Sequence, residues 1–188
     1  MPKISEIEFT PNPDARKFVL KEPLTFGVAR SFESAQEAVN DSLGSKLFNI
    51  PHIINVFYVD NWVTVTQDGQ VDWRDLQKEI AIPIREAPAA ENDSINAEEA
   101  ARWLEEDENL SSSDREKLDQ IKEILDIEVR PYLQGDGGDI FVVGLMDKVL
   151  QVHYQGACGS CPSSLTGTLA GIQSLVNRID PELEVIAV

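Results

Sequence analysis

Two cysteines, Cys158 and Cys161, are the only ones in the chain, and two residues separate them. A thiolate pair at this spacing can perform redox chemistry or hold a soft metal. A tetrahedral zinc ion or an iron–sulfur cluster usually needs four ligands, and one copy of this chain has too few thiolates to supply them. Two copies related by a two-fold axis have enough, because the same surface patch meets itself across such an axis. The pair is therefore either a dithiol or half of a shared metal site.

The residues around the cysteines place them between a strand and a helix. The β-branched and aromatic residues of Val149–Tyr154 predict a strand, and Pro162 suits the first turn of a helix, where its missing amide proton is not needed. The N-terminus of a helix presents unpaired amides and the positive end of the helix dipole, which favours thiolates. Gly156 and Gly159 let the backbone approach a bulky inorganic group. We therefore expect an open site and not a core position.

Three interpretations of the pair follow from the residues alone. A thioredoxin-like oxidoreductase also carries CxxC between a strand and a helix. Only one predicted strand follows the helix here, however, and residues 114–188 make a small domain for that fold. A four-thiolate metal site shared by two chains needs only a symmetric contact between loops. Incidental cysteines in an apolar loop fit the surrounding Gly, Ser and Pro residues poorly, so the shared metal site is favoured.

Other residues near the cysteines are weaker candidates for metal binding. Strand alternation places His153 on the face opposite the apolar residues of Val149–Tyr154, which predicts a solvent-facing side chain. Asp136 and Asp139 lack the remaining residues of a calcium-binding loop. We interpret Gly135–Gly138 as a turn that requires unusual backbone angles.

The charge balance limits the class of partner. The chain has 16 Lys and Arg residues against 33 Asp and Glu, for a formal charge of −17, which argues against binding to nucleic acid or to an anionic membrane. No segment approaches the roughly 18 consecutive apolar residues of a membrane span. The first residues lack the features of a secretory signal or of an Arg-rich transit peptide. These observations predict a cytoplasmic protein whose partners are proteins, with no nucleic acid and no membrane.

Composition divides the chain into three parts. Residues 1–83 alternate strand and helix patterns, and residues 84–113 are rich in proline, alanine and acidic residues, which predicts a linker with a short helix at Ala97–Leu104. Residues 114–188 form a second domain that carries both cysteines. The predicted fold class is therefore α/β, of the α+β type, with two small α/β domains joined by an acidic linker.

Apolar periodicity gives the elements of each domain. In the first domain the predicted elements are strands at Ile4–Thr10 and Ala15–Leu20, a helix at Ser34–Phe48, a hairpin of Ile53–Val59 and Trp62–Thr66, and a helix from Asp72 that ends near Pro83. In the second domain they are a helix capped by Ser113 and loosened near Pro131, strands at Ile140–Leu145 and Val149–Tyr154, a helix from Pro162 and a strand at Leu183–Val188.

Motifs in both domains carry a family resemblance. The runs Val129–Ile140 (VRPYLQGDGGDI) and Gln155–Leu165 (QGACGSCPSSL) resemble the C-terminal domain of NifU, which the Nfu-type iron–sulfur scaffold and carrier proteins share. Thr10–Phe18, Leu47–Pro51 and Val63–Thr66 resemble the N-terminal domain of the Nfu proteins. The resemblance covers both domains and leaves only the linker outside it.

The resemblance implies that Cys158 and Cys161 are the ligands of a [4Fe–4S] cluster, with [2Fe–2S] as the other possibility, shared between two subunits. It implies a homodimer when loaded, upstream cluster assembly proteins as donors, apo iron–sulfur proteins as acceptors, and no enzymatic activity. A thiol–disulfide oxidoreductase with Cys158 as nucleophile and Cys161 as resolving thiol stays open as the alternative, followed by a zinc-bridged interaction module. One departure from the family pattern is His52-Ile53, which stands where relatives often have Gly-Val.

Overall fold

The chain folds into two units that each combine helices with a sheet. A computed structural model describes residues 2–90, 111–159 and 162–188, with the side chains of all of these except 162–166. The first unit is Met1–Ile95 and the second is Asn96–Val188. This architecture confirms the predicted α/β fold class. The helix predicted at Ala97–Leu104 lies outside the described residues.

The first unit, over its described residues, is a five-stranded antiparallel sheet with helices. Its elements are β1 (Ile4–Phe9), β2 (Ala15–Leu20), β3 (Arg30–Phe32), a 3-10 helix (Glu37–Asn40), α1 (Ser42–Phe48), β4 (Ile53–Val59), β5 (Trp62–Gln67) and α2 (Trp73–Glu86). The strand order is β1-β2-β5-β4-β3, with every neighbouring pair antiparallel. The predicted strands and the hairpin between β4 and β5 are confirmed. The three-residue β3 was not predicted, because so short a strand has no periodicity to detect.

The core of the first unit lies where α1 and α2 meet the sheet. Val63 and Val65 of β5 are fully buried and, two residues apart, share one face of the strand. Leu47 of α1 and Ile80 and Ile84 of α2 pack into the same cluster and are also fully buried. Each such side chain contributes roughly 1.5–3 kcal/mol to folding, so the two helices are fixed by the central strands.

The helix predicted at Ser34–Phe48 is divided at Asp41. The Asp41 carboxylate is only 7% exposed and accepts hydrogen bonds from two amides of the first turn of α1 at 3.1 and 2.6 Å. It also receives the Arg30 guanidinium at 3.1 Å and the Tyr58 hydroxyl at 2.6 Å. Asp41 is therefore the N-cap that starts α1 as a separate helix.

Helix α2 continues through Pro83 to Glu86, so the prediction that it ends near Pro83 is wrong. A proline inside a helix removes a backbone hydrogen bond and costs about 3 kcal/mol. Ile80 and Ile84, on either side of it, are fully buried. Burial of these two side chains offsets the cost of the proline. A rule that considers only neighbouring residues in the sequence does not include this packing.

The second unit, as far as the structure describes it, has three strands with helices packed against them. Its elements are α3 (Ser112–Glu128), α4 (Arg130–Gly135), β6 (Gly138–Met146), β7 (Val149–Gly156), α5 (Pro162–Ile179) and β8 (Glu184–Ala187). The order is β6-β7-β8, with β7 antiparallel to β6 and parallel to β8. The predicted strands and the start of α5 at Pro162 are confirmed. None of the helices in the described ranges has the length and apolar character needed to cross a membrane.

Two details of the predicted helix before β6 are corrected. The hydroxyl of Ser111, and not of Ser113, caps α3 by accepting the amide of Asp114 at 3.2 Å. The helix is also interrupted at Val129, and Pro131 lies in the first turn of α4, where the missing amide proton costs nothing. The expected loosening near Pro131 is thus a break between two helices.

His52 occupies the left-handed region of backbone space, with φ of 73°. Its Nδ1 lies 3.0 Å from the Asp68 carboxylate, and its carbonyl oxygen accepts the amide of Asp68 at 3.0 Å. The hydrogen bond from His52 lowers the pKa of the Asp68 carboxyl. The resemblance stated above implies glycine at this position in many relatives, and glycine would adopt this backbone angle without strain.

Substitution of His52 tests this backbone strain. We expect His52→Val to unfold at least about 1 kcal/mol more easily than His52→Gly, because β-branched residues tolerate the left-handed region least. Urea unfolding followed by tryptophan fluorescence measures the difference. Asp68→Asn is the control that removes the carboxylate beside the His52 side chain and leaves the backbone requirement in place. Equal stability of the glycine and valine variants would contradict the assignment.

Candidate functional site

Cys158 lies in the loop between β7 and α5. Strand β7 ends at Gly156 and α5 begins at Pro162, so the predicted strand-to-helix position is confirmed for this cysteine. Cys161 lies outside the described residues. Its part in the site stays a prediction from the sequence.

The Cys158 side chain is only 1% exposed and belongs to the apolar core of the second unit. The expectation of an open position is therefore wrong for this residue. Its neighbours in the core cluster include Tyr154 of β7, Ile140 of β6 and Ile172 of α5. The next residue, Gly159, is exposed. Cys158 thus lies at the boundary between the core and the surface, one residue from solvent.

Gly138 keeps the space beside Cys158 open. A Cβ atom at Gly138 would lie 2.5 Å from the Cys158 sulfur and 2.6 Å from the carbonyl oxygen of Gln155. Both distances are far below van der Waals contact, so glycine is required here by close approach. Its neighbour Gly137 has φ of 82° and is required by its backbone angle. The sequence-based explanation of this turn, unusual backbone angles, holds for Gly137 and misses the second reason.

Backbone hydrogen bonds join the cysteine loop to the glycine turn. The amide of Ala157 donates to the carbonyl of Gly137 at 3.1 Å, and the amide of Gly159 donates to Gly156 at 3.2 Å. Gly156 has φ of 66° and pairs with Gly138 at the end of the β6–β7 ladder. The two motifs that were identified separately in the sequence therefore fold into one structure.

Asp139 connects α4 to this structure through a buried ion pair. Its side chain is 3% exposed and lies 2.5 Å from the guanidinium of Arg130. Gln134 donates a further hydrogen bond at 3.3 Å, and the amide of Ile140 donates one at 2.7 Å. Burial raises the pKa of Asp139, while the positive charge of Arg130 acts in the opposite direction. The Asp139 carboxylate thus helps to pack α4 against β6. This role accounts for its burial without a hard metal ion.

His153 points away from the cysteine loop and towards the end of the chain. Its Nδ1 lies 2.7 Å from the carbonyl oxygen of Val188. Over the described residues, no group of three or more His, Cys, Asp and Glu side chains is arranged to hold a metal ion.

Tyr154 is a residue of the site that sequence reasoning missed. Its hydroxyl is buried and has no hydrogen-bond partner among the described residues, and the same holds for Oε1 of Gln155. Burial, with a smaller contribution from the charge of Cys158, raises the pKa of Tyr154 to about 12. In the sequence, Tyr154 occupies one of the core-facing positions of β7 and does not stand out from its apolar neighbours. The only signal was a hydroxyl on the strand face that points into the core, four residues before Cys158.

Both halves of the chain match family models of iron–sulfur scaffold domains. Residues 4–91 match the domain described as "Scaffold protein Nfu/NifU N terminal", and residues 121–186 match the NifU-like domain. The second match contains Cys158, Cys161, Gly138 and Tyr154. The fold and the matched domains together define the class as Nfu-type scaffold proteins.

Relatives of known name match almost the whole chain. The mitochondrial NFU1 iron–sulfur cluster scaffold homolog of Homo sapiens is 33% identical over 176 residues, which is 93% of this chain and 67% of that protein. The mitochondrial NifU-like protein 4 of Arabidopsis thaliana is 29% identical over 181 residues, 95% of this chain and 63% of that protein. The solution structure of a NifU-like protein from Saccharomyces cerevisiae is 22% identical, with a TM-score of 0.39, and covers 43% of this chain and 74% of that one. The chain spans about two thirds of the length of the named relatives.

The chain belongs to the Nfu family of iron–sulfur cluster scaffold proteins. This confirms the resemblance that its motifs carried in both domains.

The prediction of a cytoplasmic location is wrong. The relatives from Homo sapiens, Drosophila ananassae and Arabidopsis thaliana are mitochondrial proteins by name, and this finding contradicts the prediction. The prediction depended on the charge and hydropathy of the first few residues. Because the chain spans only part of its relatives' length, those residues do not decide the compartment.

Replacing Gly138 tests the close approach to Cys158. We expect Gly138→Ala to destabilise the second unit by more than about 2 kcal/mol, because the new methyl group overlaps a sulfur and a backbone oxygen. Urea unfolding followed by circular dichroism measures the loss. Gly144→Ala, on the same strand, is the matched control, since a Cβ there meets nothing within 4 Å. Similar stability of the two variants would contradict the contact.

Removing the charge of Asp139 tests the buried ion pair. Asp139→Asn leaves the Arg130 guanidinium, whose side chain is 28% exposed, with only its more exposed partner Asp126 at 2.9 Å, and we expect a loss of about 2 kcal/mol in unfolding free energy. The control is Asp75→Asn, which breaks the pair with Lys78, where the side chains are 81% and 69% exposed, and should cost less than about 1 kcal/mol. Thermal unfolding of both variants provides the comparison. Equal losses of unfolding free energy in the two variants would show that the Asp139–Arg130 pair stabilises the fold no more than an exposed ion pair does.

Proposed function

We propose that the protein is a scaffold and carrier that binds an iron–sulfur cluster as cargo through Cys158 and Cys161 and delivers it to apo-proteins. The observation that carries this proposal is the match of residues 121–186 to the NifU-like domain, since that range contains both cysteines. Cysteine thiolates are the usual ligands of such clusters. The match of residues 4–91 adds the second domain of the scaffold family.

Two copies of the chain hold one cluster in this proposal. Each copy has only two cysteines, whereas a [4Fe–4S] or a [2Fe–2S] cluster takes four cysteine ligands. A two-fold axis that passes through the cluster brings the Cys158–Cys161 pair of each subunit to it. The family resemblance favours [4Fe–4S], and the loaded form is then a homodimer.

The burial of Cys158 fits a site for cargo better than a site for disulfide exchange. A thiol that attacks a disulfide must be reached by its substrate, and its rate depends on access as well as on thiolate character. Cys158 is 1% exposed and shares the core with Tyr154. Loading requires this sulfur to become accessible, and the bound cluster is afterwards sheltered by the same packing. An oxidoreductase and a zinc-bridged module are therefore alternative outcomes of the test.

Delivery of the cluster is possible because its cysteine ligands come from two subunits and can be exchanged one at a time. A thiolate of the acceptor replaces one cysteine of the carrier on an iron atom, and the displaced cysteine takes up a proton as it leaves. Repetition at each bond between iron and a cysteine of the carrier moves the cluster with its sulfides intact and without oxidation or reduction of the protein. The acceptors are therefore apo-proteins that have their own cluster cysteines, and upstream assembly proteins supply the cluster by the same exchange.

Anaerobic reconstitution with iron and sulfide tests the proposal. We expect about four irons per dimer by iron and sulfide counting and native mass on the same sample, with loss of the cluster in Cys158→Ser and in Cys161→Ser. His153→Gln, five residues before Cys158, should bind the cluster like the original chain, because His153 contacts Val188 instead. A colourless monomer that exchanges disulfides would replace the proposal with the oxidoreductase. A colourless dimer that retains only zinc would replace it with the interaction module.

A further inference from the structure

Tyr154 carries a buried polar group that has no partner in the described part of the fold. Its side chain is 3% exposed, and its hydroxyl has no hydrogen-bond partner among the described residues. Buried hydroxyl groups are normally paired, since an unpaired one has lost its water and gained nothing in return. A phenylalanine at this strand position would fill the core without that loss. Packing among the described residues therefore does not account for the presence of this hydroxyl.

The position of Tyr154 relates it to Cys158. Tyr154 pairs with Ile140 in the β6–β7 ladder, two residues from the Gly138–Gly156 pair that lies beside the cysteine. Tyr154 and Cys158 belong to the same buried cluster. A Cβ atom at Gly159, the residue after Cys158, would lie 3.0 Å from the carbonyl oxygen of Tyr154, so the cysteine loop runs directly beside this residue. A phenol is protonated at neutral pH and can donate a hydrogen bond to an acceptor in the same buried cluster.

We propose that Tyr154 is a positioning residue for the cargo, whose hydroxyl donates a hydrogen bond to the sulfur of Cys158 when that sulfur binds metal as a thiolate. This inference rests on the function proposed above. A thiol is a weak acceptor, whereas a thiolate is charged and accepts strongly. Hydrogen bonds to metal-bound sulfur orient it and tune the site. Tyr154 thus favours the metal-binding form of Cys158 over the thiol form.

The proposal requires opposite effects in the two states of the protein. In the apo-protein the hydroxyl has no partner among the described residues, which is unfavourable, so Tyr154→Phe should make the second unit more stable. In the loaded dimer the hydroxyl has a partner, so the same substitution should weaken retention of the cluster. Substitution of a tyrosine with only a packing role would not produce opposite effects on the stability of the apo-protein and on retention of the cluster.

Tyr58 provides a matched control. It is the other buried tyrosine of the described residues, it lies in the first unit, and its hydroxyl donates to the buried carboxylate of Asp41 at 2.6 Å. Tyr58→Phe removes one hydroxyl from a protein core, as Tyr154→Phe does, but breaks an existing hydrogen bond. It should destabilise the first unit of the apo-protein and leave cluster retention unchanged.

The experiment uses the full chain in both states. Hydrogen exchange of the apo-protein, read on peptides from β7, should slow by about fivefold in Tyr154→Phe. Loss of iron from the reconstituted dimer to an excess of chelator should be about tenfold faster in the same variant. Retention equal to that of the original chain would overturn the inference. Faster exchange in the apo-protein together with faster iron loss would also overturn it, because that combination indicates a structural role. If the original chain itself binds no cluster, the proposed function fails and this inference fails with it, a result distinct from equal retention in both proteins.

Discussion

The contact between Gly138 and Cys158 is the constraint on which the site depends. A sulfur occupies the space that a side chain on β6 would fill, and this is possible only with glycine at that position. The glycine turn and the cysteine loop, which are about 20 residues apart along the chain, are thereby fixed against each other. The Ala157–Gly137 hydrogen bond and the Asp139–Arg130 ion pair strengthen the same junction. Helix α4, strand β6 and the cysteine loop consequently form a single arrangement.

In the first unit, too, one buried contact fixes several elements against each other, but here the buried group is a carboxylate. Asp41 is a buried carboxylate that receives Arg30, Tyr58 and two backbone amides. Its donors come from β3, β4 and the first turn of α1, so one side chain fixes three elements. In each unit a buried carboxylate with several donors thus joins a helix to the sheet. Such groups hold the elements together because separating a carboxylate from its donors within the fold would leave a buried charge uncompensated.

Local patterns predicted most of the architecture and part of the site. Strands β4 to β7, the position of Cys158 before α5 and the α/β class all followed from periodicity and from turn residues. The break at Asp41, the passage of α2 through Pro83 and the burial of Cys158 did not, because each depends on contacts with residues distant in the sequence. Tyr154 was missed for the same reason. A tyrosine in an apolar strand becomes informative only when the surroundings of its hydroxyl are known.

The β6–β7 hairpin turns at Asp147 and Lys148, which have φ of 50° and 67°, and its ladder ends at the Gly138–Gly156 pair. A hairpin that forms from its turn outward closes that last pair only after all the others. Cys158 reaches its position beside Gly138 only when this pair is in place. In that order of folding the proposed ligand site is completed last, and an incompletely folded chain exposes the Cys158 thiol without the structure that surrounds it in the native fold. The surroundings that bury Cys158 are therefore complete only when the whole β6–β7 ladder has formed.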